Sequence, residues 1–141
     1  MLRVLIPIDG SENSLRALDY VLRRKAHVGA VEIHLLNVQI PVVSGHAKMF
    51  VSHEQLNAYY RQEGEQALQT ARDKLEQAGV PYQHHILVGH VADTIVAYAK
   101  QNRCDEVVVG TRGMSAISNL VLGSVATQVI HLSDIPITLV K

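Results

Sequence analysis

Glu106-Val107-Val108-Val109-Gly110-Thr111-Arg112-Gly113 is a valine run that stops at a glycine, and the pattern closes further on with Gly123-Ser124. A short apolar run bounded by turn residues reads as a strand buried on both faces. Three glycines and a serine spaced in this way, after a strand and ahead of a helical pattern, can build a cradle of backbone N–H groups for phosphate oxygens. Gly110 and Gly113 let the chain turn and let amides approach an oxyanion. Arg112 is the one fixed positive charge nearby. Gly123 admits a close approach at the helix entry, and Ser124 can cap the helix or turn its hydroxyl to a phosphate. The N–H groups of Val125, Ala126 and Thr127 then carry the positive end of the helix dipole. The plainer alternative is that these glycines only end a strand and begin a helix.

Outward from this block, the same alternation fills the chain. Leu2 to Ile6 reads as a buried strand ending at Pro7-Ile8-Asp9-Gly10, and Ser11 caps a helix that Gly29 stops. Val31 to Val38 is a second strand. Pro41, Ser44 and Gly45 break the pattern and open a segment reaching about Ser52, expected to be a mobile loop. A long helix covers His53 to Ala78, with Gly64 as a possible bend. Tyr82 to Val88 is a third strand, Ala92 to Asn102 a helix, Ser124 to Leu132 another, and Ile137-Thr138-Leu139-Val140 a last strand. Five strands alternating with four helical patterns predict an α/β fold: a single-domain, doubly wound, mostly parallel sheet of the Rossmann-like kind. Ligands of such sheets bind beyond the carboxyl ends of the strands, where strand order reverses. The loops after the first and fourth strands are therefore expected to face one crevice.

Composition narrows the function. The chain has 141 residues, 48% of them hydrophobic, which fits one domain over 1–141. Lysine plus arginine equals aspartate plus glutamate at 13 each, so no broad basic field exists to draw nucleic acid or an anionic membrane. A single cysteine, Cys104, excludes a disulfide framework and a multi-cysteine zinc site. With no long apolar run, a cytoplasmic protein is expected. His84 and His85 are adjacent on a strand and so point to opposite faces, and the other histidines form no ligand pattern, so surface or half-buried imidazoles are expected. Tyr59 and Tyr60 read as core and rim residues of the long helix. No GxSxG elbow, Walker lysine motif or GxGxxG fingerprint is present, and Asp9 is the only acidic candidate for a catalytic base.

These residues together resemble the universal stress proteins, in the branch whose members bind ATP, a family with an adenine nucleotide alpha-hydrolase-like fold. The resemblance is carried by Val4-Leu5-Ile6-Pro7-Ile8-Asp9-Gly10-Ser11, by Leu35-Leu36-Asn37-Val38, by Val107 to Gly113, by Leu122-Gly123-Ser124-Val125-Ala126 and by Pro136 to Val140. It implies an adenine and ribose pocket from Pro7, Asp9 and the backbone of Val38, beside a triphosphate cradle of Gly110, Thr111, Arg112, Gly113, Met114, Gly123, Ser124, Val125 and Ala126. It implies ATP, with Mg²⁺ reaching Asp9 only through the nucleotide, and a homodimer through strand 137–140. A frequent family histidine is replaced by Asn37, which matters little if Val38 contributes through its backbone. The function expected is an ATP-binding regulatory or sensor module with little or no catalysis. A nucleotide-independent dimeric interaction protein and a weak ATPase are the alternatives.

Overall fold

The computed structural model describes residues 1–42, 52–111 and 122–141. Five strands and four helices alternate along them: β1 (Leu2–Pro7), α1 (Glu12–Val28), β2 (Val31–Gln39), α2 (His53–Gln77), β3 (Tyr82–Val88), α3 (Val91–Gln101), β4 (Glu106–Gly110), α4 (Ser124–Leu132) and β5 (Ile137–Val140). The expected loop falls largely on 43–51, outside the described residues.

Local chemistry sets the helix ends. The Ser11 hydroxyl accepts from the Ser14 N–H at 3.2 Å and starts α1, and Gly29 ends it at φ +86°. Ser52 and Gln55 form a reciprocal capping box at the start of α2, with bonds of 3.1 and 2.9 Å. Gly79, at φ +67°, lies just past its end.

The strands form one sheet in the order β3-β2-β1-β4-β5, and every neighbouring pair is parallel. Strand order therefore reverses between β1 and β4. Alternate residues face opposite ways. Val4, Ile6, Ile33, Leu35 and Val108 pack with α1 and α2 in one core, while Leu5, Leu36, Val107 and Val109 pack with α3 and α4 in the other. The doubly wound architecture is as the sequence predicts.

Gly64 is not needed as a bend, because α2 runs unbroken through it. It is buried, and a Cβ there would fall 2.5 Å from Ile86 Cγ2 of β3 and 2.8 Å from Cδ1. The missing side chain lets α2 settle onto the sheet. Gly64→Ala is expected to lower stability by about 1–2 kcal/mol through overpacking, although alanine is the better helix former by up to about 1 kcal/mol. In an Ile86→Ala background the same change should be neutral or stabilising, which thermal and urea unfolding of the four proteins would check.

Two polar networks fix the amino-terminal ends of the strands. Glu106 of β4 takes a bidentate pair from Arg24 of α1, at 2.7 and 3.0 Å, and a hydrogen bond from Thr138 Oγ1 of β5 at 2.5 Å. Burial pushes the Glu106 carboxyl up, but the bonds from Arg24 and Thr138 outweigh it and hold it below the usual carboxylate range. On the other face, His34 is 3% exposed and lies 2.7 Å from both Tyr98 Oη and Glu32 Oε2, and Glu32 pairs with Arg3 at 2.5 Å. His34 is thus a core histidine, not the surface or half-buried imidazole expected. Burial beside it lifts the Tyr98 hydroxyl to about 12. Cys104, also buried, is pushed up to about 11, which makes it a poor nucleophile.

Candidate functional site

β1 runs out at Pro7, and the chain turns at once into α1. Asp9 Oδ1 accepts from the Ser11 N–H at 2.8 Å, and Gly10 takes φ +87°. The Asp9 carboxylate is exposed, with Oδ1 committed to the turn, so a ligand would meet it through Oδ2.

The end of β4 departs from the sequence expectation in an instructive way. Gly110 is the last strand residue rather than a turn, and its φ is not positive. Its lack of a side chain answers a close approach by the first turn of α1, since a Cβ would fall 2.7 Å from the Asn13 carbonyl oxygen and nearer still to its side chain. Thr111 donates its N–H to Val140 at 2.9 Å, and its carbonyl accepts from the Gly123 N–H at 2.5 Å. The chain leaves the sheet at Thr111 and returns to the same point at Gly123. Arg112, Gly113 and Met114 lie outside the described residues.

Gly123, not Ser124, is the N-cap of α4, at φ −61° and ψ 154°, and Ser124 is its first helical residue. Among the described residues no side chain caps this helix. The Thr127 N–H is already bonded to the Gly123 carbonyl at 3.0 Å, so among the described residues the open donors are those of Ser124, Val125 and Ala126, one residue earlier than expected. They sit beside the end of β4, with the helix dipole behind them.

The third wall is the end of β2. The Ile8 N–H reaches the Leu36 carbonyl at 2.8 Å, past the end of β1. Asn37 is 3% exposed, donates from Nδ2 to the Ile8 carbonyl at 2.9 Å, and accepts at Oδ1 from Gln39 Nε2 at 2.7 Å. Val38, next along, is half-buried against the α3/α4 core. Pro7, Asp9, Val38, Gly110, Thr111 and Gly123 to Ala126 thus lie at the carboxyl ends of neighbouring strands and at the helix that follows β4. Asn13 was missed as a residue that shapes these strand ends, and Asn37 was read as mattering little. A single amide inside an apolar strand was the available signal for Asn37.

Two surface cavities lie elsewhere, about 520 Å³ between the ends of α1 and α2 and about 470 Å³ between α3 and α4. Neither is lined by a residue of this candidate site. Among the described residues, no three His, Cys, Asp or Glu side chains converge as a metal ligand set, and no helix is long and apolar enough to cross a membrane.

Residues 1–141 match the family described as the universal stress protein family. The chain belongs to that family. It is 30% identical over 141 residues to universal stress protein MJ0531 of Methanocaldococcus jannaschii, covering 99% of this chain and 81% of the relative. Universal stress protein YxiE of Bacillus subtilis is 29% identical, covering 99% and 98%. The solved structure of MJ0577, another universal stress protein of M. jannaschii, superposes with a TM-score of 0.84 at 28% identity, over 99% of this chain and 95% of that one. A universal stress protein solved in complex with cAMP superposes with a TM-score of 0.71 at 26% identity, over 99% and 97%.

Proposed function

We propose that this universal stress protein binds an adenine nucleotide, ATP foremost, in the crevice beyond β1, β2 and β4, and works as a regulatory or sensor module rather than a catalyst. The observation that carries the reading is the junction of β4 and α4. The Thr111–Gly123 bond sets three N–H groups of α4, without partners among the described residues, beside the strand-order reversal, where a phosphate would cap the helix. The cAMP complex of a relative 26% identical supports an adenine ligand. In this reading Pro7, Asp9 and the Val38 backbone take the base and ribose. Gly110, Thr111, Gly123, Ser124, Val125 and Ala126 line the phosphates, together with Arg112, Gly113 and Met114. Asp9 meets Mg²⁺ only through a nucleotide-bound ion. A cytoplasmic location accompanies it, and a homodimer through the edge strand β5, whose Leu139 is 41% exposed, would present the nucleotide state to a partner.

Nucleotide extracted from the purified protein and identified by mass spectrometry is the direct test. ATP or a shorter adenine nucleotide is expected, and no extracted nucleotide together with no calorimetric signal at millimolar ATP would remove the proposal. Gly123→Val with Arg112→Ala is expected to weaken binding at least about tenfold while leaving the dimer intact, because it crowds the cradle and removes its one fixed cation. Phosphate release should be flat in the wild type. Release that disappears in Asp9→Ala would instead establish the weak ATPase.

A further inference from the structure

In a parallel ladder, a residue whose N–H bonds one carbonyl of its neighbour strand offers its own carbonyl to the N–H two residues further on. Ile8 donates to Leu36 at 2.8 Å, so its carbonyl faces the place of the Val38 N–H. Among the described residues that rung is not made. The Ile8 carbonyl accepts instead from Asn37 Nδ2 at 2.9 Å.

Backbone direction makes the consequence specific. Gln39 uses its carbonyl toward β3, accepting from the Gly89 N–H at 3.0 Å. Val38, one residue earlier, therefore turns its N–H and C=O to the β1 side, past the point where β1 ends. We infer that Asn37 is a positioning residue of the nucleotide site: its side chain takes the Ile8 carbonyl, ends the β1–β2 ladder one bond early, and leaves the Val38 peptide edge open to a nucleobase. The inference rests on the adenine-nucleotide reading above. Such an edge pairs a donor with an acceptor and fits a base that shows a ring nitrogen beside an exocyclic amine.

Asn37 suits the task chemically. At 3% exposure it cannot look to water for partners, and both ends of its amide are used. Gln39 Nε2, 2.7 Å from Oδ1, fixes which end of the amide faces Ile8. An aspartate in its place would lack the donor. Leucine, of similar size and on the apolar α1/α2 face, would lack both groups and free the Ile8 carbonyl for Val38.

The test uses Asn37→Leu and Gln39→Met in the full chain. In the nucleotide-free protein, amide exchange of Val38 followed by NMR is expected to slow at least about tenfold in Asn37→Leu as the missing rung forms. Affinity for AMP should fall about tenfold while affinity for inorganic tripolyphosphate stays within about twofold, a split that general destabilisation would not produce. Gln39→Met loses only the orienting bond, and should shift AMP affinity the same way by about threefold; it carries the test if Asn37→Leu does not fold. Unchanged Val38 exchange in Asn37→Leu, or unchanged AMP affinity in Gln39→Met where that variant is used, overturns the role of Asn37 while the nucleotide reading stands. A wild type that binds neither AMP nor tripolyphosphate overturns both.

Discussion

Gly110→Ala is expected to lower the unfolding free energy by about 2–3 kcal/mol, the upper part of the range for overpacking a fixed site. The added Cβ would fall 2.7 Å from the Asn13 carbonyl oxygen, a backbone atom that no rotamer change can move. Relief requires the first turn of α1 to lift away from β4. That turn carries Ser11 and Ser14, which hold the Asp9 bend, so one methyl group would disturb both sides of the crevice together. Urea unfolding should show the lower midpoint, and nucleotide titration should show weakened binding where the protein remains folded. A stable variant with wild-type affinity would mean that α1 and β4 are not locked as described.

Glu106→Ala is expected to cost about 2–3 kcal/mol, below the roughly 3–5 kcal/mol of fully buried pairs because the Arg24 side chain is 28% exposed. The loss strands the guanidinium and leaves Thr138 without its acceptor. Replacing both members, Arg24→Met with Glu106→Leu, should recover most of it, since a well-packed apolar pair avoids the desolvation of two charges. The pair also sets a pH dependence. The folded-state Glu106 carboxyl titrates below its ordinary value, so the unfolded chain binds the proton more readily. Its contribution is complete above the unfolded value, near pH 4.5, and declines as pH falls through the lower folded value. Unfolding curves across pH 2 to 7 should therefore be flatter in Glu106→Gln on the acid side. An identical slope in both proteins would contradict this assignment.

The elements were readable because each announces itself locally. Val107 to Val109 is apolar enough to be buried on both faces, Ser11 and Ser52 are capping residues, and Gly29 and Gly79 stop helices by adopting positive φ. The place of the strand-order reversal followed from the alternation together with the unusual residues that end the first and fourth strands. What escaped depends on neighbours distant in sequence. Glu106 looks like the polar opening of a strand until Arg24, 82 residues away, is brought beside it. Asn37 looks incidental until Ile8 lies alongside. Gly110 was read as a turn glycine, whereas its glycine character answers to Asn13. Ser124 was displaced by one position because glycine also serves as an N-cap, and sequence preference does not separate the two readings.

The Thr111–Gly123 hydrogen bond has one more implication. It fastens the N-cap of α4 to the first residue beyond β4 by backbone alone, so a change that moved Gly123 would shift the start of the helix and the end of the strand together.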